Sequence, residues 1–137
     1  MANSAISQIT YQFGDASVPP SCHRSFAITV TGDKAVIVVD SYGDILVDET
    51  YPIDAAQFDG LREAVERNRI MNCVLTDDEG CTGGTSERIS YRDGEQELFS
   101  GTVYHCGASD TGNLCGDIAA FAGEIKSLVP DLERLLQ

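Results

Sequence analysis

A chain of 137 residues is long enough for one domain to bury a core without covalent staples, and its 42% hydrophobic content sets it apart from disordered sequences. Acidic residues outnumber Lys and Arg by 22 to 9, and the formal net charge of -13 repels nucleic-acid phosphates and anionic lipid headgroups, which argues against DNA, RNA and bare membrane as partners. No apolar run approaches the roughly 20 residues of a bilayer span, and the opening MANSAISQITYQFG has neither the basic nor the apolar region of a secretory signal.

Ile9, Tyr11 and Phe13 alternate with Thr10 and Gln12, the period of a half-buried strand. Pro19 and Pro20 then force an irregular extended crossing. Phe26, Ile28 and Val30 alternate again, Gly32 and Asp33 supply a turn, and Ala35 to Val39 is apolar on both faces, as a central strand would be. The stretch Asp40 to Asp44 turns the chain into a further strand over Ile45 to Tyr51. Asp54 stands where an N-cap belongs, and Phe58, Leu61 and Val65 fall at helical spacing with Arg62, Glu63, Glu66 and Arg69 on the other side. A short strand is predicted over Ile70 to Leu75, with Cys73 as a buried apolar thiol. A hairpin follows, and then a helix from Asp117 that shows Ile118, Phe121, Ile125 and Leu128 on one face. Pro130 interrupts it before a terminal helical turn with Leu132, Leu135 and Leu136.

The predicted order is four strands, a helix, three strands and a helix. It describes one α+β domain over residues 1–137, an antiparallel sheet with two amphipathic helices packed on one face. In the hairpin, Asp93 and Gly94 are the residue types preferred in a two-residue turn. That register sets Ile89 opposite Leu98, Arg92 opposite Glu95 and Ser90 opposite Glu97. Extended outward, it sets Cys81 opposite Cys106, making these two the candidate disulfide.

Five cysteines (Cys22, Cys73, Cys81, Cys106, Cys115) show no Cys-x-x-Cys spacing. The most unusual segment is Gly80 to Ser86, whose glycines can present backbone N–H groups to an anion or a Cys81 thiolate, or simply admit a bulge at a strand entry. No lysine lies near it, and Asp77, Asp78 and Glu79 repel a phosphate. Candidate binding residues are therefore Cys81, Thr82, Gly83 and Gly84 with His105 and Cys106, together with His23 and Arg24 on the irregular segment. A thiol–imidazole pair drawn from Cys81, Cys106 and His105, oriented by Asp110 or Asp117, is opposed by strand alternation, which turns His105 away from both sulfurs. A Ser25–His23 pair lacks an acid and an oxyanion hole. A zinc site from Cys22, His23, Cys81, Cys106 and Cys115 matches no known spacing, and a lone Asp-Thr-Gly at Asp110 to Gly112 has no second copy with which to form a dyad. No cofactor and no metal is expected.

Phe13-Gly-Asp15 with Ser17-Val-Pro-Pro20, His23-Arg-Ser25, Ser41-Tyr-Gly-Asp44, Cys81-Thr-Gly-Gly-Thr85, His105-Cys-Gly107, Gly116-Asp117 and Val129-Pro-Asp-Leu132 together span nearly the whole chain. Through them it resembles a set of bacterial hypothetical proteins of unknown function, a resemblance that implies a bacterial origin and one folded domain but no activity. The layout of strands, helix, strands and C-terminal helix is similar to that of emfourin, a small bacterial inhibitor of thermolysin-like proteases. The leading expectation is thus a small acidic non-enzymatic binding module, an inhibitor in its narrower form, with a protein or peptide partner. The alternative is a thiol-dependent enzyme or redox protein using Cys81 and Cys106. The N-terminus points to the cytoplasm, and an oxidised Cys81–Cys106 pair would point outside it.

Overall fold

The alternating segments of the N-terminal half form strands and meet with their apolar positions in register. The computed structural model describes residues 6–75, 84–105 and 110–137. Its first four strands are β1 (Gln8–Gly14), β2 (Ser25–Val30), β3 (Lys34–Ser41) and β4 (Asp44–Pro52), each antiparallel to the next. Tyr11 faces Ile28, which faces Ile37, and Phe13 faces Phe26, which faces Val39, so β1, β2 and β3 share one apolar face. Ala35, Ile37 and Val39 of β3 are fully buried, whereas Val36 and Val38 on its other face are half-buried. The strand is interior to the sheet but is not covered on both sides.

Helix α1 (Ala55–Arg67) begins at Asp54 with a complete capping box: Gln57 N–H donates to Asp54 Oδ1 at 2.8 Å, and Asp54 N–H donates to Gln57 Oε1 at 2.9 Å. It buries Phe58, Leu61, Ala64 and Val65 in the same cluster as the apolar sheet face. Beyond it come β5 (Met71–Asn72), β6 (Thr85–Asp93), β7 (Gln96–His105), β8 (Asp110–Gly112) and β9 (Leu114–Cys115). They are followed by α2 (Ile118–Lys126), capped by Asp117 and burying Phe121, Ala122 and Ile125, and by α3 (Leu132–Leu135). The α+β class holds, but the order does not. Among the described residues the second half has five strands and two helices in place of three strands and one helix, so three helices, not two, accompany the sheet. The added strands have two or three residues each, too short for any alternation to show.

Seven strands form one sheet in the order β4-β3-β2-β1-β6-β7-β8, while β5 and β9 make a separate ribbon. The first strand of the chain therefore lies at the centre of the sheet, with the N-terminal meander on one side of it and the C-terminal hairpin on the other.

The hairpin register differs from the expected one. Asp93 pairs with Gln96, so the turn residues are Gly94 and Glu95, with Gly94 at φ +58° in the first central position, where a type II′ turn wants glycine. The register then shifts between Tyr91 and Arg92: Arg92 faces Glu97, Tyr91 faces Phe99 and Ser90 faces Ser100, which leaves Leu98 unpaired in a bulge. Ile89 is fully buried but faces Gly101, not Leu98, and Leu98 is 40% exposed. A Cβ on Gly101 would be a tight fit there, 3.1 Å from Leu114 Cδ1 and 3.3 Å from Asn72 Nδ2 of the small ribbon.

That ribbon carries a second correction. Cys73 is joined to Cys115 in a disulfide, with Cα atoms 5.9 Å apart, rather than standing as a buried free thiol.

Candidate functional site

Antiparallel topology gathers one set of connections at one end of the sheet. The last residues of β1, β3 and β7 and the first residues of β2, β4, β6 and β8 all lie there. His23 and Arg24 precede β2, Gly84 precedes β6 and His105 closes β7, so these four predicted residues share that end. They do not converge. The strands β2 and β7 are separated by β1 and β6, three inter-strand steps or roughly 14 Å. Cys81, Thr82, Gly83 and Cys106, and with them the candidate Cys81–Cys106 disulfide, lie outside the described residues. The register constant from which that pairing was extrapolated is not the one the hairpin adopts, since Thr85 faces His105.

On the β7 side, four side chains from four strands form a hydrogen-bonded chain. The Tyr11 hydroxyl donates to Glu87 Oε2 at 2.6 Å, Glu87 Oε1 meets His105 Nε2 at 2.7 Å, and His105 Nδ1 meets Asp110 Oδ1 at 3.0 Å. A neutral imidazole has one N–H and would leave one of its two contacts between a pair of acceptors. The imidazolium satisfies both. Burial pushes the His105 pKa down, but the hydrogen bonds and charges of Glu87 and Asp110 outweigh it, and the net shift is upward. Burial is also the largest influence on Tyr11; with the Glu87 hydrogen bond and charge it drives the phenol pKa far up, so Tyr11 stays a neutral donor.

This arrangement joins β1, β6, β7 and β8 electrostatically. It does not present a base, because both ring nitrogens of His105 already face carboxylates. Of the two aspartates weighed beside His105, Asp110 meets its Nδ1, whereas Asp117 caps α2 through Ala120 N–H at 3.1 Å. Glu87 was missed. Its signal was a carboxylate at an inward position of β6, two residues before Ile89 on the same face.

On the β2 side, His23 is buried and stacks on Tyr42 with ring centroids 3.8 Å apart, and its Nδ1 has no hydrogen-bond partner among the described residues. The Tyr42 hydroxyl donates to Val18 O at 2.6 Å, and the Ser41 hydroxyl donates to Pro20 O at 2.8 Å. Asp15 Oδ2 accepts from Arg24 N–H at 2.8 Å, and Ser25 Oγ accepts from Asp15 N–H at 2.9 Å. Arg24 turns its guanidinium onto carbonyls, His23 O at 2.7 Å, Pro20 O at 3.3 Å and Gln137 O at 3.4 Å. These contacts fix the irregular segment and tie it to the C-terminus. Ser25 bonds Asp15 rather than His23, so no activated serine results.

Cys115 is held in the disulfide and therefore withdrawn from the zinc set, while Cys22 is free and exposed. Three large apolar side chains at the β3–β4 connection face solvent at this same end: Tyr42 is 56% exposed, Ile45 65% and Leu46 49%. No apolar pattern singled them out, because β4 reads in sequence as an ordinary strand.

Compared with protein-family models, with curated proteins and with solved structures, the chain matches none.

Proposed function

We propose that the protein is a non-enzymatic binding module that meets a protein or peptide partner at the loop-bearing end of its sheet. The observation that carries this reading is the solvent-facing group Tyr42, Ile45 and Leu46, set where the connections gather. Large exposed side chains grouped on a rigid strand end are the usual anchors of protein recognition. The occupied nitrogens of His105 favour binding over catalysis, since the histidine closest to Cys106 in sequence is held by two carboxylates. A protease inhibitor is the narrower form of the proposal, suggested by the emfourin-like layout.

The experiment is affinity capture from extracts and culture fluid of the source organism, run in parallel with the triple variant Tyr42→Ala, Ile45→Ser, Leu46→Ser. A partner retained by the parent and lost from a folded variant supports the reading. A partner retained equally by both would move the surface elsewhere. A thiol at Cys81 or Cys106 that alkylates fast at neutral pH would favour the thiol enzyme instead.

A further inference from the structure

We infer that the free edge of β4 is a strand-addition site for an extended, cationic segment of a partner protein. This rests on the binding-module reading and gives it a partner class and a geometry. Among the described residues β4 pairs only with β3, so alternate residues along its nine positions direct their N–H and C=O groups outward and form an open template. The opposite edge of the sheet, β8, has three residues. At its start β4 carries the exposed Ile45 and Leu46, and the register shift between Val39 and Asp40 leaves Leu46 without a partner on β3.

Charge selects the occupant. Asp44, Asp48 and Glu49 are exposed, β4 contains no Lys or Arg, and no ion pair engages these three carboxylates among the described residues. A second copy of the chain is a poor fit. Twofold antiparallel pairing centred on β4 would set Asp48 against its own copy, between two molecules each of net charge -13. The same carboxylates that guard the edge against self-association complement lysines or arginines on a foreign strand. In such an alternating segment, cations set opposite Asp44 and Asp48 leave an apolar side chain opposite Ile45.

The test uses a fluorescent, end-capped nine-residue peptide of alternating Lys and Val, with alternating Glu and Val as control, read by anisotropy and by amide hydrogen exchange. The Lys–Val peptide should bind, weaken as salt rises, and protect amides within Asp44–Pro52. The Glu–Val peptide should not bind, and Asp44→Lys with Asp48→Lys, both at exposed positions, should weaken the Lys–Val peptide at least about tenfold. Equal binding of both peptides overturns the inference, as does protection confined to other strands. A concentration-dependent dimer of the chain alone that protects the same amides overturns it in favour of a second copy. Should the triple variant lose a captured partner while no Lys–Val peptide binds, the strand-addition mode fails and the binding module stands.

Discussion

The His105 imidazole is the residue whose behaviour follows most directly from its neighbours. With Glu87 on one nitrogen and Asp110 on the other, and Tyr11 completing the Glu87 shell, its pKa in the folded state lies above the ordinary value of about 6.5. A raised folded-state pKa means that protonation favours folding. The contribution is complete below about 6.5, the unfolded-state value, and is lost as pH rises through the higher folded-state value. Urea unfolding of the parent and of His105→Gln should therefore differ most below about pH 6.5 and converge as pH rises through the raised folded-state value. A difference that does not change with pH would mean that the imidazolium is not what the two carboxylates hold. Tyr11→Phe probes the other end of the chain. It removes a donor from Glu87 at 2.6 Å within a fully buried ring environment, and should cost about 1.5–3 kcal/mol, the range for a hydrogen bond to a charged group, with no gain in solubility to offset it. Equilibrium denaturation at neutral pH measures it.

Elements were readable where their periodicity ran long enough. The alternation of Ile9, Tyr11 and Phe13, of Phe26, Ile28 and Val30, and the cap-plus-stripe of Asp54, Phe58, Leu61 and Val65 each became the element they describe. Leu61→Ala should accordingly cost ~2–5 kcal/mol, the penalty of a core truncation that leaves a cavity, and a loss below about half a kcal/mol would mean the helix is poorly anchored. The hairpin was readable in kind but not in register. An Asp-Gly pair names a tight turn, yet shifting the turn by one residue and ejecting Leu98 moves every later pairing, and neither event leaves a local mark in composition. Beside the Ile89–Gly101 pair, Leu114 and Asn72 occupy most of the space a side chain at 101 would take, a contact made by residues distant in sequence. Gly101→Val tests this. It should destabilise by about 1–3 kcal/mol through overpacking against Leu114, whereas a register matching Ile89 to Leu98 would leave residue 101 tolerant. The Tyr11–Glu87–His105–Asp110 chain was hidden for the same reason: its four members come from four strands, and only Asp110 and His105 are near one another in sequence.

At the scale of the whole molecule, the small β5–β9 ribbon joins the exit of α1 to the entry of α2. Helix α1 leaves at Arg67 toward β5, and β9 leads directly to Asp117, the cap of α2. Asp117 N–H donates to Asn68 O at 2.8 Å and Cys73 N–H to Asn113 O at 2.9 Å, so the exit of one helix is bonded to the entry of the other. The Cys73–Cys115 disulfide seals this junction across a sequence separation of 42. Closing a loop of that length restricts the unfolded chain by about 4 kcal/mol in the chain-entropy account, and measured values commonly fall nearer 2–4. A loss of that size is a large part of the 5–15 kcal/mol that typical domains possess. Urea unfolding with and without reductant should thus show a lower midpoint when the bond is open. Cys73→Ala with Cys115→Ala should reproduce that shift and abolish any further response to reductant. The double variant separates the junction bond from the other cysteines: if reductant still lowers its midpoint, another pair, with Cys81 and Cys106 the first to examine, supplies part of the cross-linking. Peptide mapping of the unreduced protein then identifies which sulfurs are joined. The parent map should contain the Cys73–Cys115 cross-link, and its absence from an oxidised sample would remove the covalent closure of the helix junction, leaving it to non-covalent contacts such as the β5–β9 pairing and the hydrogen bonds of Asp117, Cys73 and Asn68.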